Sequence, residues 1–334
     1  MATPSSAGQT GSAREGLRID APAVAAQIAE AIRTQVLGSL RKQGVVVGLS
    51  GGIDSSVTAA LCALALGRER VVGLLMPERS SAPESHPLGQ LAASALGLEV
   101  ELEDVTLALE ALGCYRRQEE AVRLVFPEYG AGWRFKLTLP AVTGSDRLNV
   151  FGLVVEAPDG RRLQRRLSLH AYLRLVAATN LKQRVRALML YHHAERRNRA
   201  VAGTPNRLEY DQGFFVKHGD GAADLKPIAH LYKTQVYALA EHLGIPEEIR
   251  RRPPTTDTYS LAQTQEEFYF ALPWAQMDLC LYGLNHGLPA AAVAAEAGLA
   301  EVEVERVYRD IAAKRRGTRG LHQAPLLVQE VSEV

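Results

Sequence analysis

The stretch Ser50-Gly51-Gly52-Ile53-Asp54-Ser55-Ser56 places two glycines, three hydroxyls and one carboxylate directly after the apolar run Val45–Leu49. A helix-like run, Ser55–Leu66, follows. At the carboxyl end of a parallel strand, glycines let the backbone turn tightly and approach a ligand, while the amides opening the next helix form an anion site. Ser50, Ser55 and Ser56 add hydroxyl donors for phosphate oxygens, and Asp54 suits a magnesium ion carried in by a polyphosphate. The loop has no Gly-Lys-Ser/Thr ending, which disfavours kinase-like transfer of a terminal phosphate.

The surrounding elements explain how such a loop would be held. Val45–Leu49, Val71–Met76 and Glu99–Leu102 read as strands, alternating with helices over Ser55–Leu66 and Pro87–Leu96. Short connections between them predict a parallel sheet covered by helices on both faces, a three-layer α/β/α fold of Rossmann-like form. Upstream, Asp20 caps a helix reaching Arg41, with Pro22 in its first turn and Ile28, Ile32, Val36 and Leu40 at fourfold spacing. Residues 1–19 are small and polar at first, lack the apolar core of a signal peptide, and are expected to form a disordered tail.

Alternation stops near Cys114. "WRFKLTLPAV" and "LNVFGLVVEAPDGRRLQRRLSL", with a hairpin signal at Asp159-Gly160, predict a small β-rich insertion over about 114–168 in a domain of 20–330. Helical periodicity returns from His170 to Arg197, Val201–Gly203 reads as a short strand, and the prolines of "RRPPTTDT" at 251–258 forbid a continuous helix.

Composition narrows the classes of function. With 38 Lys plus Arg against 37 Asp plus Glu in 334 residues, there is no net basicity calling for nucleic acid or an anionic membrane. No apolar run is long enough for a bilayer. Cys62, Cys114 and Cys280 are too few and too scattered for a disulfide frame or a zinc site, which fits a cytoplasmic protein. His192-His193 is a poor metal pair, since neighbours on a helix point in different directions.

"SGGIDSS" resembles the signature of the PP-loop ATP pyrophosphatases, of adenine nucleotide α-hydrolase type, which cleave ATP between its α and β phosphates. "NLKQRVRALMLYHHA" from Asn180, the block Gly203–Val236 and "RRPPTTDT" are in turn similar to the NAD synthetases that use ammonia. The resemblance spans roughly Asp20 to Arg316 apart from the insertion. It implies ATP-dependent adenylation of nicotinate adenine dinucleotide, then amidation by ammonia to give NAD and AMP. It also implies a cytoplasmic homodimer, with apolar faces of the Asp20–Arg41 and His170–Arg197 helices as its seam.

By the same resemblance, Asp54, Lys217 and Lys233 are catalytic, and Asp54 and Glu209 hold magnesium. ATP is expected at Gly48, Ser50, Gly51, Gly52, Ile53, Asp54, Ser55, Ser56, Arg79, Thr204, Lys233 and Thr255, with Asp257 closing over it. The carboxylate substrate falls to Arg184, Lys217, Asp220, Asp224 and Lys314, and Lys182 and Arg186 stand at family positions.

The chain departs from the family pattern at Val216, Trp274, Ala275 and Ala313, as well as in the insertion. These departures motivate a second reading, the same chemistry on another carboxylate, such as a sugar or a specialised metabolite. A third is an ATP-binding regulator without turnover, and a tRNA-thiolating enzyme is weaker still because no cysteine pair is visible. No glutaminase region is present, so nitrogen would come from ammonia or a separate glutaminase. The insertion is open to reading as a docking surface, a lid or an ornament.

Overall fold

The computed structural model describes residues 11–142, 151–256 and 258–331. Its central sheet has four parallel strands, β1 (Val45–Gly48), β2 (Val71–Leu75), β3 (Glu99–Leu102) and β7 (Ala200–Ala202), in the order β3-β2-β1-β7. The period of two along each strand divides its side chains between two helical layers. Val45, Val47, Val71 and Leu75 face α2 (Ala21–Arg33), α3 (Ile53–Leu66) and α9 (Lys233–His242). Val46, Val72, Leu74 and Val201 face the long helix α7 (Leu169–Glu195), where Met189 and Leu190 cover them. All three β1 valines are fully buried, and each contributes roughly 1.5–3 kcal/mol to the core.

The chain order reverses at β1, which has β2 on one side and β7 on the other. Such switch points leave a crevice beyond the carboxyl ends of the strands. There the turn from β1 to α3 is tight: Gly51 has φ +74° and a Cβ would lie 2.7 Å from the Ser85 carbonyl oxygen. Gly52 in extended geometry starts α3 two residues before the expected Ser55. Helix α4 (Ser85–Leu96) likewise starts ahead of Pro87, which a first helical turn tolerates.

The expected β-rich insertion begins as a helix. Cys114, Tyr115, Gln118, Ala121 and Val122 are the buried positions of α6 (Cys114–Arg123), a helical period that follows the short α5 (Thr106–Ala111). The β structure is confined to an antiparallel sheet of β4 (Arg134–Thr138), β5 (Gly152–Glu156) and β6 (Arg162–Arg166), in that order. Asp159 and Gly160 form the expected hairpin, Gly160 at φ +82°. Phe135, Leu137, Leu153 and Val155 pack with Phe126, Leu175 and Tyr259 as a separate core.

The expected tail is ordered from Ser12 onward where it is described. A short helix α1 (Ala13–Gly16) is capped by Ser12 and held by Glu296, whose carboxylate accepts from the Ala13 and Arg14 amides at 3.1 and 2.6 Å. Residues 1–10 lie outside the described part. Asp20 caps α2 as expected, accepting the Ala23 amide at 3.0 Å. Helices α8 (Arg207–Gln212), α10 (Glu247–Arg251), α11 (Trp274–His286), α12 (Ala290–Ala297) and α13 (Glu301–Thr318) complete the chain, and α1, α8 and α11–α13 share a second apolar core. Among the described residues no helix is long and apolar enough to cross a membrane.

Candidate active site

A cleft of about 400 Å³ opens at the carboxyl ends of β1, β2 and β7. Its floor includes Gly48, Ser50, Gly52, Ile53, Asp54 and Ser55, and Thr204, Glu209, Asp220, Lys233 and Thr255 complete the expected residues that reach it. The hydroxyl of Ser55 lies 3.2 Å from that of Ser50 and donates to the Gly52 carbonyl at 3.0 Å, which fixes the loop in a cupped form. Gly51 shapes this turn without lining the cleft, and Ser56 turns back to donate to the Gly52 carbonyl at 2.9 Å inside α3.

The charged centre joins three segments. Asp54, in the first turn of α3, accepts from the Lys233 ammonium at the start of α9 and, at 3.0 Å, from the Asn206 amide. Asn206 caps α8 through its side-chain oxygen, and its own backbone amide donates to Glu209 at 3.1 Å in a capping box. Gln265 donates to the other Glu209 oxygen at 2.8 Å. Burial raises the Glu209 carboxyl above its ordinary value and the Asp54 charge pushes the same way, against the pull of Lys233. Burial alone would lower the Lys233 ammonium, but the charges of Asp54 and Glu209 outweigh it and hold the group above its ordinary value.

Lys233 is placed by a buried acid that sequence reasoning missed. Asp278 in α11 accepts the Lys233 amide at 3.2 Å and the Thr234 amide and hydroxyl at 2.6 and 2.7 Å. It thereby satisfies donors that a helix start otherwise leaves open. Burial pushes its carboxyl up to about 6.

Two carboxylates whose charges repel across a buried cleft suit a divalent cation. Magnesium takes one or two protein carboxylates and completes its shell with phosphate oxygens and water, so Asp54 and Glu209 have the chemistry to hold one. Among the described residues there is no denser His, Cys, Asp and Glu cluster for a metal held by protein alone.

Several expected contacts lie away from the cleft. Arg79 pairs with Glu110 at 2.8 Å and lies over the Tyr115 ring at 4.3 Å, because the loop after β2 turns its side chain outward. Lys217 donates to the carbonyls of Gly320 and Gln323 at 2.9 and 3.2 Å. Arg184 is exposed on α7 and directs its Nε toward the Lys217 carbonyl at 3.4 Å. Asp224 accepts the Val201 amide at 2.7 Å, fixing the edge of β7. Lys314 pairs with Asp310 at 2.7 Å and donates to the Tyr269 carbonyl at 2.8 Å. Asp257 lies outside the described residues.

The structure puts other residues in the cleft instead. Arg186 lines it and donates to the Met76 carbonyl at 3.2 Å, and Arg252 lines the opposite wall, donating to Ser85 at 3.0 Å. Glu78, also on the wall, forms a buried pair with Lys182 at 2.9 Å and accepts the Tyr115 hydroxyl at 2.9 Å. Burial opposes ionisation of Glu78, but the charges of Lys182 and then Arg186 hold its carboxyl below the ordinary value. The even spacing of Lys182, Arg184 and Arg186 carried the signal, while which of the three faced inward depended on the orientation of α7. His193 is structural, lying between Glu101 and Glu103 at 2.9 and 3.0 Å.

Comparison with known proteins identifies the family. Residues 24–127 and 161–316 match the NAD synthase family model, which passes over residues 128–160, the span holding β4 and β5. The chain is 60% identical over 317 residues to an NH(3)-dependent NAD(+) synthetase of Mesorhizobium japonicum, covering 95% of this chain and 99% of that one. Its identity to one from Thermotoga maritima is 36%, covering 73% and 80% of the two chains. An NH3-dependent NAD synthetase structure from Campylobacter jejuni superposes with a TM-score of 0.62 over 93% of this chain and all of that one, at 21% identity, a likeness of fold. With the family model matching on both sides of the insertion and a relative 60% identical over 95% of the chain, the chain belongs to the NAD synthase family.

Proposed function

We propose that this chain is an ammonia-dependent NAD synthetase that amidates the nicotinate carboxylate of nicotinate adenine dinucleotide at the expense of ATP. The observation that carries this reading is the convergence of Lys233, Asp54 and Glu209 beneath the β1–α3 loop. A carboxylate oxygen of the acid attacks the α-phosphate, the bond to the β-phosphate breaks, and pyrophosphate leaves. Ammonia then attacks the acyl carbon, AMP departs, and the nitrogen releases one proton to give the neutral amide.

In this reading Ser50, Ser55 and the amides opening α3 receive the departing phosphates. An ammonium has three donors, so Lys233 can keep one on Asp54 and offer others to phosphate oxygens. Arg186 and Arg252, on opposite walls, supply further positive charge. Asp54 and Glu209 would hold magnesium, which supplies charge neutralisation on the phosphates when bound. Thr204 and Asp220, which line the cleft, would contact the ribose and the acid.

A homodimer fits the surface. The apolar face of α2 is spent in the core through Ile28, Ala29 and Ile32, so that helix cannot offer it to a partner. Leu107, Leu169, Leu173 and Leu188 remain exposed on α5 and α7 and provide the apolar area for a seam. All three cysteines are buried free thiols, in keeping with a cytoplasmic enzyme, and ammonia is the nitrogen donor.

The test is pyrophosphate release and NAD formation by the purified protein with ATP, magnesium, ammonium and nicotinate adenine dinucleotide. Matched products that depend on the dinucleotide support the reading. ATP binding without them, but with turnover of another acid in a carboxylate screen, would favour the alternative substrate.

A further inference from the structure

Residues 128–160, which hold β4 and β5, lie outside the part of the chain that matches the family, yet β4 packs against a segment that continues from the cleft wall. Edge strand β4 is not free: its outer side is taken by the segment that follows the paired prolines. The Phe135 amide donates to the Ser260 hydroxyl at 2.9 Å, the Leu261 amide to the Phe135 carbonyl at 3.1 Å, and the Leu139 amide to the Glu267 carbonyl at 2.9 Å. Lys136 pairs with Glu267 at 2.6 Å, and the Phe135 and Tyr259 rings meet edge to face at 5.5 Å.

This docked segment is folded back on the cleft wall. The Thr256 amide donates to the Gln263 carbonyl at 3.2 Å, the Gln265 amide to the Pro254 carbonyl at 3.0 Å, and Thr255 bridges to Thr264. Gln263 is the link between the two sides. Its buried side-chain amide donates to the Leu137 carbonyl of β4, while its oxygen faces the Thr256 hydroxyl at 3.5 Å. Two residues on, Gln265 holds Glu209. A second tether comes from α7, where Lys182 donates to the Thr258 carbonyl at 2.9 Å.

We propose that the insertion sheet is a brace that pre-organises the cleft-wall residues Pro254, Thr255, Thr256 and Gln265 for ATP, with Gln263 and Lys136 as its positioning residues. This rests on the reading of the cleft as the ATP site. A loop with many backbone amides loses conformational freedom when it closes on a ligand, and a wall already tied to a sheet has less to lose. The cleft residues of the β1–α3 loop bond to one another and to Asn206 and Lys233, outside the insertion. Loosening the brace therefore weakens ATP while leaving the affinity for the acid nearly unchanged.

The experiment measures binding of a non-hydrolysable ATP analogue with magnesium to the full chain, its Gln263→Leu and its Lys136→Met variants. Hydrogen exchange is followed over residues 254–265 in the same proteins. The expected result is about tenfold weaker binding for Gln263→Leu, the scale of one buried hydrogen bond, with faster exchange in that segment and unchanged exchange in β1. Lys136→Met, half the brace, should show a smaller shift in the same direction. The KM for ATP should rise while the KM for the acid stays within about twofold, since the lost contacts lie on the ATP wall. Unchanged exchange and unchanged analogue binding in both variants would overturn the brace, as would equal losses for ATP and acid. If the unaltered chain fails to bind the analogue, it is the ATP reading of the cleft that fails.

Discussion

Lys233 and Asp54 lie 179 residues apart in the chain, yet their side chains meet at the first turns of two helices packed on the same face of the sheet. Lys233 is almost fully buried, so its charge has little solvent to rely on and depends on the two carboxylates. The pair is therefore both part of the fold and the positive end of the proposed phosphate site.

Replacing Lys233 by Met removes a charge that would act on the departing phosphates. The kcat for pyrophosphate release should fall by about 10²–10³. Asp54, half-buried and still bonded by the Asn206 amide, loses its ion partner, which should also cost on the order of 1–3 kcal/mol of stability. Asp54→Asn in the same background should restore part of the stability and none of the activity. A denaturant titration beside the assay separates the two.

Arg186 and Arg79 make a paired contrast. Arg186→Ala should raise the KM for ATP about tenfold, since its guanidinium is on the cleft wall. Arg79→Ala should leave that KM within about threefold, since its side chain is half exposed and engaged by Glu110 and Tyr115. Steady-state kinetics on both variants decides whether the inward or the outward arginine serves ATP.

Asp278 gives a pH dependence with a definite sign. Its folded value, about 6, lies above the unfolded value of 3.8, so the folded chain holds more protons between those limits. Its contribution to stability is complete below the lower value and is lost as pH rises through the upper one. Relative to Asp278→Asn, the unaltered protein should therefore lose on the order of 3 kcal/mol between pH 4 and pH 7. Parallel pH profiles for the two proteins would show that burial does not shift this acid.

The dimer seam is tested by Leu173→Asp. Leu169 and Leu173 stand one turn apart on the exposed side of α7, so a carboxylate there should break an apolar contact between copies. Light scattering should give twice the chain mass for the unaltered protein and the single mass for the variant. A single mass for both would remove the dimer.

Where the sequence was informative, the reason was local. Three valines, two glycines and a run of hydroxyls define a strand, a turn and a helix start without any distant contact, and the structure has them in that order. The helix Cys114–Arg123 was harder to read because its buried positions include Gln118 beside charged neighbours, so its apolar period is thin. Lys217 was read by its place in a matched block, but its direction is set by carbonyls more than 100 residues away, at Gly320 and Gln323. Asp278 and Glu78 owe their roles wholly to tertiary burial, which leaves no mark in the order of residues.

The most direct measurement is NAD formation coupled to pyrophosphate release, with nicotinate adenine dinucleotide as acid, for the unaltered protein and Asp54→Ala. The account predicts equal amounts of NAD and pyrophosphate from the first and a loss of at least about a hundredfold in the second. NAD formation that survives Asp54→Ala undiminished would contradict the assignment of the chemistry to this cleft.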